Sequence, residues 1–173
     1  MTTATDPAGP VEPADGPITM VDTPVDLGYS YTPGQAAARF LRRLATGQIV
    51  GQRCPRCGKV YVPPRGACSM CGVATEEEVE LPGTGTVTTF GITRVPSPGL
   101  QPPFVTAWVR LDGADITSMF LIQECDPEQV HLGMRVEPVW VEDADRKPDL
   151  SNIRYYRPNG EPDAPFDSYR DYL

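Results

Sequence analysis

Histidine is almost absent from this chain of 173 residues, which contains only one, His131. No second histidine can pair with it, and a nucleophile would have to be Cys125 or a serine or threonine without an evident base. A glycine-rich phosphate loop is also lacking, because Gly83-Thr84-Gly85 has no P-loop lysine. We therefore expect His131 to be a surface or boundary residue, and the chain to have no catalytic activity by itself.

Long apolar segments are missing as well. No run approaches the roughly 18 residues that cross a membrane. Residues 1–17 lack the charged start and the apolar core of a secretory signal peptide. These absences predict a cytoplasmic protein with reduced thiols and without a membrane partner. Cys125, the fifth cysteine, is expected to be a small buried or boundary residue.

Acidic residues are absent from Leu27 to Thr75, although the whole chain has a net charge of −8. Such a basic island can bind phosphate groups or an acidic partner, and the alternative is a solvated face without a function. The acidic run Glu76-Glu77-Glu78 follows it and is expected to be solvated. The island contains seven basic residues: Arg39, Arg42, Arg43, Arg53, Arg56, Lys59 and Arg65.

Four cysteines form two Cys-x-x-Cys pairs, and each pair is followed by glycine. A tight turn of this kind directs two thiolates to one point, and two such turns complete a tetrahedron, which is the ligand set of structural zinc. A disulfide framework suits short secreted chains, and a redox motif would not recur as a matched pair. The pattern predicts one zinc ion without an open coordination position, bound by Cys54, Cys57, Cys68 and Cys71.

Alternation of apolar and polar residues dominates the second half of the chain. It predicts strands, and Asp112-Gly113 indicates a hairpin between two of them. Asp126 and Pro127 are expected to start one helical turn. Five main strands with a short helix before the fourth indicate a small Greek-key barrel, the OB-fold. The predicted strands cover residues 77–81, 86–94, 104–111, 116–123, 135–141 and 153–157.

The predicted fold is mainly β: an N-terminal helix, a rubredoxin-like zinc ribbon and a five-stranded OB-fold barrel. Thr32 is expected to cap the helix, with Pro33 in its first position, Gln35 completing a capping box and Gly47 ending it. The last segment is expected to be a strap over a surface of the chain itself or of a partner. The predicted segments are a flexible arm rich in proline and acid (1–31), the helix (32–47), the ribbon (48–75), the barrel (76–157) and the strap (158–173).

In its order of helix, four-cysteine ribbon and barrel, the chain resembles the DUF35 family of zinc-ribbon OB-fold proteins, which are associated with acyl-CoA enzymes. The resemblance covers residues 35–142. It is carried by Phe40-Leu41, Gly47, Gln52-Arg53-Cys54, Cys57-Gly58, Pro63-Pro64-Arg65, Cys68, Cys71-Gly72, Gly83-Thr84-Gly85-Thr86-Val87 and Gly133-Met134-Arg135-Val136.

The resemblance implies a non-catalytic subunit that binds and supports a thiolase-like lyase in a hetero-oligomer. The implied reaction is retro-aldol C–C cleavage of acyl-CoA thioesters, in steroid side-chain degradation. A second interpretation is an acyl-CoA-binding accessory domain of an enoyl-CoA hydratase or of another thiolase. We expect Arg42, Arg43 and Arg65 to contact CoA phosphates or the partner. The strap residues Tyr169, Tyr172 and Leu173 are the expected apolar anchors.

Binding of single-stranded nucleic acid is a competing function, since OB barrels and zinc ribbons both serve it. Residues 83–157 carry seven basic and ten acidic side chains, which is a net charge of 7 − 10 = −3. An acidic barrel disfavours contact with a phosphate backbone. We therefore expect no nucleic-acid partner.

Overall fold

The computed structural model describes Val25 and residues 27–173, and Thr32–Leu173 form one compact unit. Most of the predicted arm, residues 1–24 and 26, lies outside the described residues. The unit contains one helix, a three-stranded sheet and a closed five-stranded barrel, which confirms the predicted fold class. Its elements are α1 (Gln35–Ala45), β1 (Ile49–Arg53), β2 (Val60–Tyr61), β3 (Glu77–Leu81), β4 (Gly85–Thr93), β5 (Phe104–Leu111), β6 (Thr117–Ile122), β7 (Arg135–Trp140) and β8 (Ile153–Pro158).

Helix α1 begins three residues later than the predicted cap. Gly34 is the N-cap and makes no side-chain hydrogen bond, so the prediction of a Thr32 cap with a Gln35 capping box is wrong. The extended conformation of Gly34 keeps Pro33 outside the first turn. The end of the helix is as predicted, because Gly47 adopts a φ of +78° and its N–H donates to the carbonyl of Leu44 at 3.0 Å.

The ribbon is built on a three-stranded antiparallel sheet in the order β2-β1-β3. Strand β3 was predicted as the start of the barrel, but it pairs with β1 in the register from Ile49↔Leu81 to Arg53↔Glu77. The alternating pattern identifies a strand without identifying its partner, which explains the difference. Gly51 permits the close approach of β1 and β2, because a Cβ atom there would lie 2.6 Å from Cγ1 of Val60.

The barrel has the strand order β4-β5-β6-β8-β7 and closes through the pairing of β4 with β7. This is the Greek-key order of an OB-fold. The predicted hairpin is confirmed, since β5 and β6 are paired and Gly113 adopts a φ of +85° between them. A short 3-10 helix covers Pro127–Gln129, and Asp126 caps it by accepting the N–H of Glu128 at 3.0 Å.

One apolar core joins the helix, the sheet and the barrel. Phe40 and Leu44 project from α1 into the same cluster as Val62 of the ribbon and Tyr156 of the barrel. A second, smaller cluster in the ribbon contains Tyr61 with the buried cysteines Cys54 and Cys68. The ribbon sheet therefore packs against one end of the barrel. No helix in the described part of the chain is long and apolar enough to span a membrane.

The C-terminal segment packs on the chain's own barrel. The N–H of Ala164 donates to the carbonyl of Gly133 at 2.9 Å, and Nη1 of Arg110 donates to the carbonyl of Ser168 at 2.7 Å. Tyr169 is only 6% exposed. Its expected role as an anchor for a partner is therefore wrong, because burial against the barrel already uses its apolar surface.

Candidate metal centre and surrounding charges

The two Cys-x-x-Cys turns have the same backbone geometry. In the first turn, Cys54 N–H donates to the carbonyl of Lys59 at 2.8 Å, and Gly58 N–H donates to that of Cys54 at 2.9 Å. The second turn repeats this pattern, with Gly72 N–H donating to the carbonyl of Cys68 at 2.9 Å. Gly58 and Gly72 both adopt positive φ values, +76° and +66°. Glycine is needed here because other side chains rarely adopt this conformation.

The four sulfur atoms converge on one point. The Sγ atoms of Cys54, Cys57, Cys68 and Cys71 all lie within 4.8 Å of one another, and those of Cys57 and Cys68 are 3.6 Å apart. A tetrahedral site with Zn–S bonds of about 2.3 Å places its sulfurs roughly 3.8 Å apart. None of these cysteines forms a disulfide. The four thiolates are thus positioned to bind a metal ion, consistent with structural zinc.

Hydrogen bonds support negative charge on two of these sulfurs, those of Cys54 and Cys68. Sγ of Cys54 accepts the backbone N–H groups of Arg56 and Cys57 at 3.4 and 3.5 Å. The hydroxyl of Tyr61 lies 3.2 Å from Sγ of Cys68, and this contact lowers the pKa of the Cys68 thiol to about 6. Partial burial and the neighbouring sulfurs raise the pKa of Cys71 to about 12. A divalent cation would offset the repulsion between the neighbouring sulfurs and so favour the thiolate form of Cys71.

Tyr61 was missed as part of the site by sequence reasoning, which placed it only in a short strand. It is 1% exposed, and its hydroxyl also lies 3.2 Å from Oγ of Ser69. A hydroxyl beside a metal-binding sulfur orients the ligand and tunes its basicity. One signal in the sequence could have identified it. Tyr61 lies seven positions before Cys68, in a segment too small to bury an aromatic ring anywhere except beside the cysteines.

The basic island is partly neutralised by strand β3. Nη2 of Arg43 lies 3.0 Å from Oε2 of Glu78, and Nε of Arg53 lies 3.3 Å from Oε1 of Glu77. Glu76 and Glu77 are exposed, as expected, whereas Glu78 is half-buried beside Arg43, so the expectation of a solvated side chain is wrong for Glu78 alone. Antiparallel pairing of β1 with β3 brings the basic and acidic segments together, since Arg53 is directly opposite Glu77.

Only one of the three arginines proposed as ligand or partner contacts has an ion-pair partner. Arg43 is paired with Glu78, whereas Arg42 and Arg65 are exposed and have no carboxylate within 4.0 Å among residues 27–173. The guanidinium of Arg65 lies 5.7 Å from the centre of the Tyr61 ring. Arg42 and Arg65 are therefore the two members of this set that remain available to an anion.

Neither His131 nor Cys125 is poised for catalysis. Nδ1 of His131 lies 2.7 Å from the carbonyl of Gln129, and Nε2 lies 3.0 Å from the carboxylate of Asp163. Because both neighbours are acceptors, they favour the imidazolium form and raise the pKa of His131, the Gln129 carbonyl most. Burial raises the pKa of Cys125, so its thiol stays protonated at neutral pH.

Family models cover both modules of the chain. The model of the rubredoxin-like zinc ribbon domain of ChsH2 matches residues 42–77, and that of the ChsH2 C-terminal OB-fold domain matches residues 78–141. A DUF35 domain-containing scaffold protein from Methanocaldococcus jannaschii is 42% identical over 96 residues, which are 53% of this chain and 67% of the relative. This chain belongs to the DUF35 family. A second scaffold protein, from Methanothermobacter thermautotrophicus, is 32% identical over 53% of this chain and 71% of its own length.

Other relatives of this DUF35 protein are described as parts of enzymes. A probable enoyl-CoA hydratase alpha subunit from Thermomonospora curvata is 32% identical over 98 residues, which are 55% of this chain but only 30% of that subunit. Among solved structures, a chain of the Ltp2-ChsH2(DUF35) aldolase is 26% identical, with a TM-score of 0.57 over 75% of this chain and 98% of that chain. A DUF35 protein of unknown function from Sulfolobus solfataricus has a TM-score of 0.53 and 25% identity, over 61% of this chain and 78% of its own.

Proposed function

We propose that this DUF35 protein is a non-catalytic, cytoplasmic subunit that binds and supports a thiolase-like lyase. The proposed reaction is retro-aldol C–C cleavage of an acyl-CoA thioester, in steroid side-chain degradation. The observation that carries this proposal is the similarity to a chain of the Ltp2-ChsH2(DUF35) aldolase, which extends over 98% of that chain. Five cysteines without a disulfide are in keeping with a reducing compartment.

The chemistry of the described residues supports a subunit without activity of its own. In a retro-aldol reaction a base removes the proton of the β-hydroxyl group, the Cα–Cβ bond breaks, and the electron pair moves into the thioester enolate. This requires a base near neutral pKa and donors that stabilise the enolate oxygen. His131 is held between two acceptors, and the metal site has four protein ligands. We therefore assign the base and the enolate-stabilising donors to the partner.

A second candidate function is that of an acyl-CoA-binding accessory domain in an enoyl-CoA hydratase. The Thermomonospora curvata relative favours it, because the 98 matched residues make up only 30% of that longer subunit. In both cases Arg42 and Arg65 would contact CoA phosphates or the partner. Arg43 would contribute less, because Glu78 already accepts its guanidinium at 3.0 Å.

Reconstitution tests the proposal. A thiolase-like protein from the same organism is assayed with and without this chain on a β-hydroxy acyl-CoA, and each protein is also assayed alone. We expect cleavage only when both are present. Substituting Arg42→Glu and Arg65→Glu together should weaken the complex or raise KM for the thioester, and added salt should weaken the wild-type interaction. Arg43 stays unchanged, because its loss would break the pair with Glu78.

Three results would argue against this function. Cleavage by this chain alone would make it an enzyme, and full activity of the soluble partner without it would make it dispensable. Hydration of an enoyl-CoA by the reconstituted pair, without cleavage of the β-hydroxy acyl-CoA, would favour the hydratase function.

A further inference from the structure

The outer face of strands β4, β5 and β6 carries an exposed apolar pair. Residues that are directly opposite in adjacent strands point to the same side of a sheet. Thr89 is opposite Trp108, and Trp108 is opposite Met119, so these three side chains share one face. Trp108 is 46% exposed and Met119 is 60% exposed. Large apolar groups clustered on a surface in this way mark interaction sites.

A pit lies beside this pair. It has a volume of about 220 Å³ and is lined by Trp108 and Met119 together with Phe90, Gly91 and Thr106. A Cβ atom built on Gly91 meets no other atom within 4 Å, and the φ angle of this glycine is not in the left-handed region. The missing side chain therefore leaves the pit open, and a larger residue could fill it without a clash inside the protein.

An apolar cleft lies on the other side of Met119. It has a volume of about 510 Å³ and extends between β6 and β8, which pair only at Ile122↔Tyr156. Phe40 and Leu44 of α1 also line it. Because Trp108 and Met119 line both the pit and the cleft, the two cavities form one continuous apolar surface, which we call the cleft face.

Two arginines line the cleft, and no carboxylate does. Arg65 and Arg154 are exposed, and in residues 27–173 no Asp or Glu oxygen lies within 4.0 Å of either charged group. In a two-fold contact the same patch would meet itself, and Glu124, the acid that borders the cleft at Tyr155, is already paired with Arg157 and with the Tyr155 hydroxyl. A different protein with acidic residues around apolar anchors would complement it.

We propose that the cleft face is the docking surface for the thiolase-like subunit. That subunit inserts apolar side chains into the pit and the cleft and places carboxylates against Arg65 and Arg154. Tryptophan, methionine and arginine are the residues enriched at the centres of such interfaces. The inference rests on the proposed function, because it assigns a location to the partner that this function requires.

Binding measurements on the full chain test the location. The probe is a purified thiolase-like protein from the same organism, and the Kd is measured by calorimetry. Trp108→Ala should weaken binding about 30-fold or more, as truncation of a central anchor does. Gly91→Glu should weaken binding at least about tenfold, because its side chain fills the pit and its negative charge repels the carboxylates of the partner. Arg154→Glu should slow association and reduce its dependence on salt.

Matched variants separate docking from folding. Leu132→Ala truncates another exposed apolar residue away from the cleft face, and Arg94→Glu reverses an exposed charge that lines neither the pit nor the cleft. These controls should leave the Kd unchanged, and all variants should retain the wild-type unfolding temperature within a few degrees. Because a Cβ atom at Gly91 meets no other atom within 4 Å, Gly91→Glu starts its side chain in open space and keeps the test valid even if Trp108→Ala unfolds.

The outcomes distinguish this inference from the proposed function. If the wild-type proteins form no complex, the proposed function fails and the docking surface with it. If they do form one and both Gly91→Glu and Trp108→Ala bind like wild type, only the location is wrong. The location is also overturned if the isolated chain is a dimer that Gly91→Glu dissociates. Displacement of the bound partner by palmitoyl-CoA, with a change in tryptophan fluorescence that Trp108→Ala abolishes, would likewise assign the cleft to a small amphiphile.

Discussion

Removal of the metal should unfold the ribbon and leave the barrel folded. The ribbon's own cluster contains, besides its cysteines, a single fully buried side chain, Tyr61. Burying one such side chain contributes about 1.5–3 kcal/mol. Zinc bound to small thiolate-containing domains contributes about 10–16 kcal/mol. With Val60 and Val62, which the ribbon buries in the shared core, three such side chains contribute about 4.5–9 kcal/mol. Packing within residues 54–75 therefore still falls short of the metal contribution.

The test combines metal analysis with hydrogen exchange measured by mass spectrometry. We expect one zinc ion per wild-type chain and well under one for Cys68→Ser. Strong chelation should abolish amide protection in residues 54–75, whereas strands β4 to β8 should stay protected. Cys125→Ser is the matched control, because Cys125 lies outside the ribbon, and it should keep both zinc and protection.

Two results would refute this reasoning. A wild-type chain with well under one zinc and with disulfides detected by mass would show that the cysteines serve another purpose. Unchanged protection of residues 54–75 after complete removal of the metal would show that packing alone holds the ribbon.

Two further predictions concern the barrel and the strap. Arg135→Met should lower the free energy of unfolding in urea by about 1.5–3 kcal/mol. The reason is that Arg135 is only 14% exposed and donates hydrogen bonds to Asp112 and Glu161 at 2.8 and 2.9 Å. Arg94→Met is the control, because it removes an exposed ion pair and should cost under about 0.5 kcal/mol. The hydrogen bond from Arg135 lowers the pKa of Asp112. The difference in unfolding free energy between wild type and Arg135→Met should therefore be present above about pH 3.9 and vanish as the pH falls below it. The pKa of His131 is raised, so its stabilisation of the strap should be complete below about pH 6.5 and disappear as the pH rises through the folded value. Hydrogen exchange of the amides in residues 163–173, measured between pH 6 and 8.5, should show this loss of protection in wild type and not in His131→Gln. Protection of the wild-type strap that does not change with pH would contradict the prediction.

Local patterns were sufficient to predict the metal site and the class of fold. Each Cys-x-x-Cys-Gly turn is specified by residues adjacent in sequence, so its geometry follows from the sequence directly. The alternation of apolar and polar residues in β5 likewise predicts the inner face of the barrel without reference to a partner strand, and Val105, Ala107 and Val109 are indeed buried there. Asp112-Gly113 then specified the hairpin to β6.

Tertiary contacts account for what the sequence did not reveal. The pairing of Arg43 with Glu78 joins residues 35 positions apart, and it follows from the register of β1 and β3. The strap could have covered the chain itself or a partner, because aromatic residues alone do not select between the two surfaces. The start of α1 was misplaced because Thr32 and Pro33 are strong start signals, whereas the chain continues extended through Gly34.

Strand β3 contains the boundary between the two matched domains, although all of it belongs to the ribbon sheet. The matched ribbon ends at residue 77 and the matched OB-fold begins at residue 78, so the junction lies within Glu77–Leu81. A protein shortened to the barrel would expose an orphaned strand, and a ribbon ended at residue 77 would lose one of its three strands. Recombination between relatives can therefore exchange a working ribbon only if the exchanged piece extends through Leu81. For engineering of this family, an exchange at Pro82-Gly83 keeps every strand of both sheets whole, but the new ribbon must also fit the apolar core that it shares with the barrel.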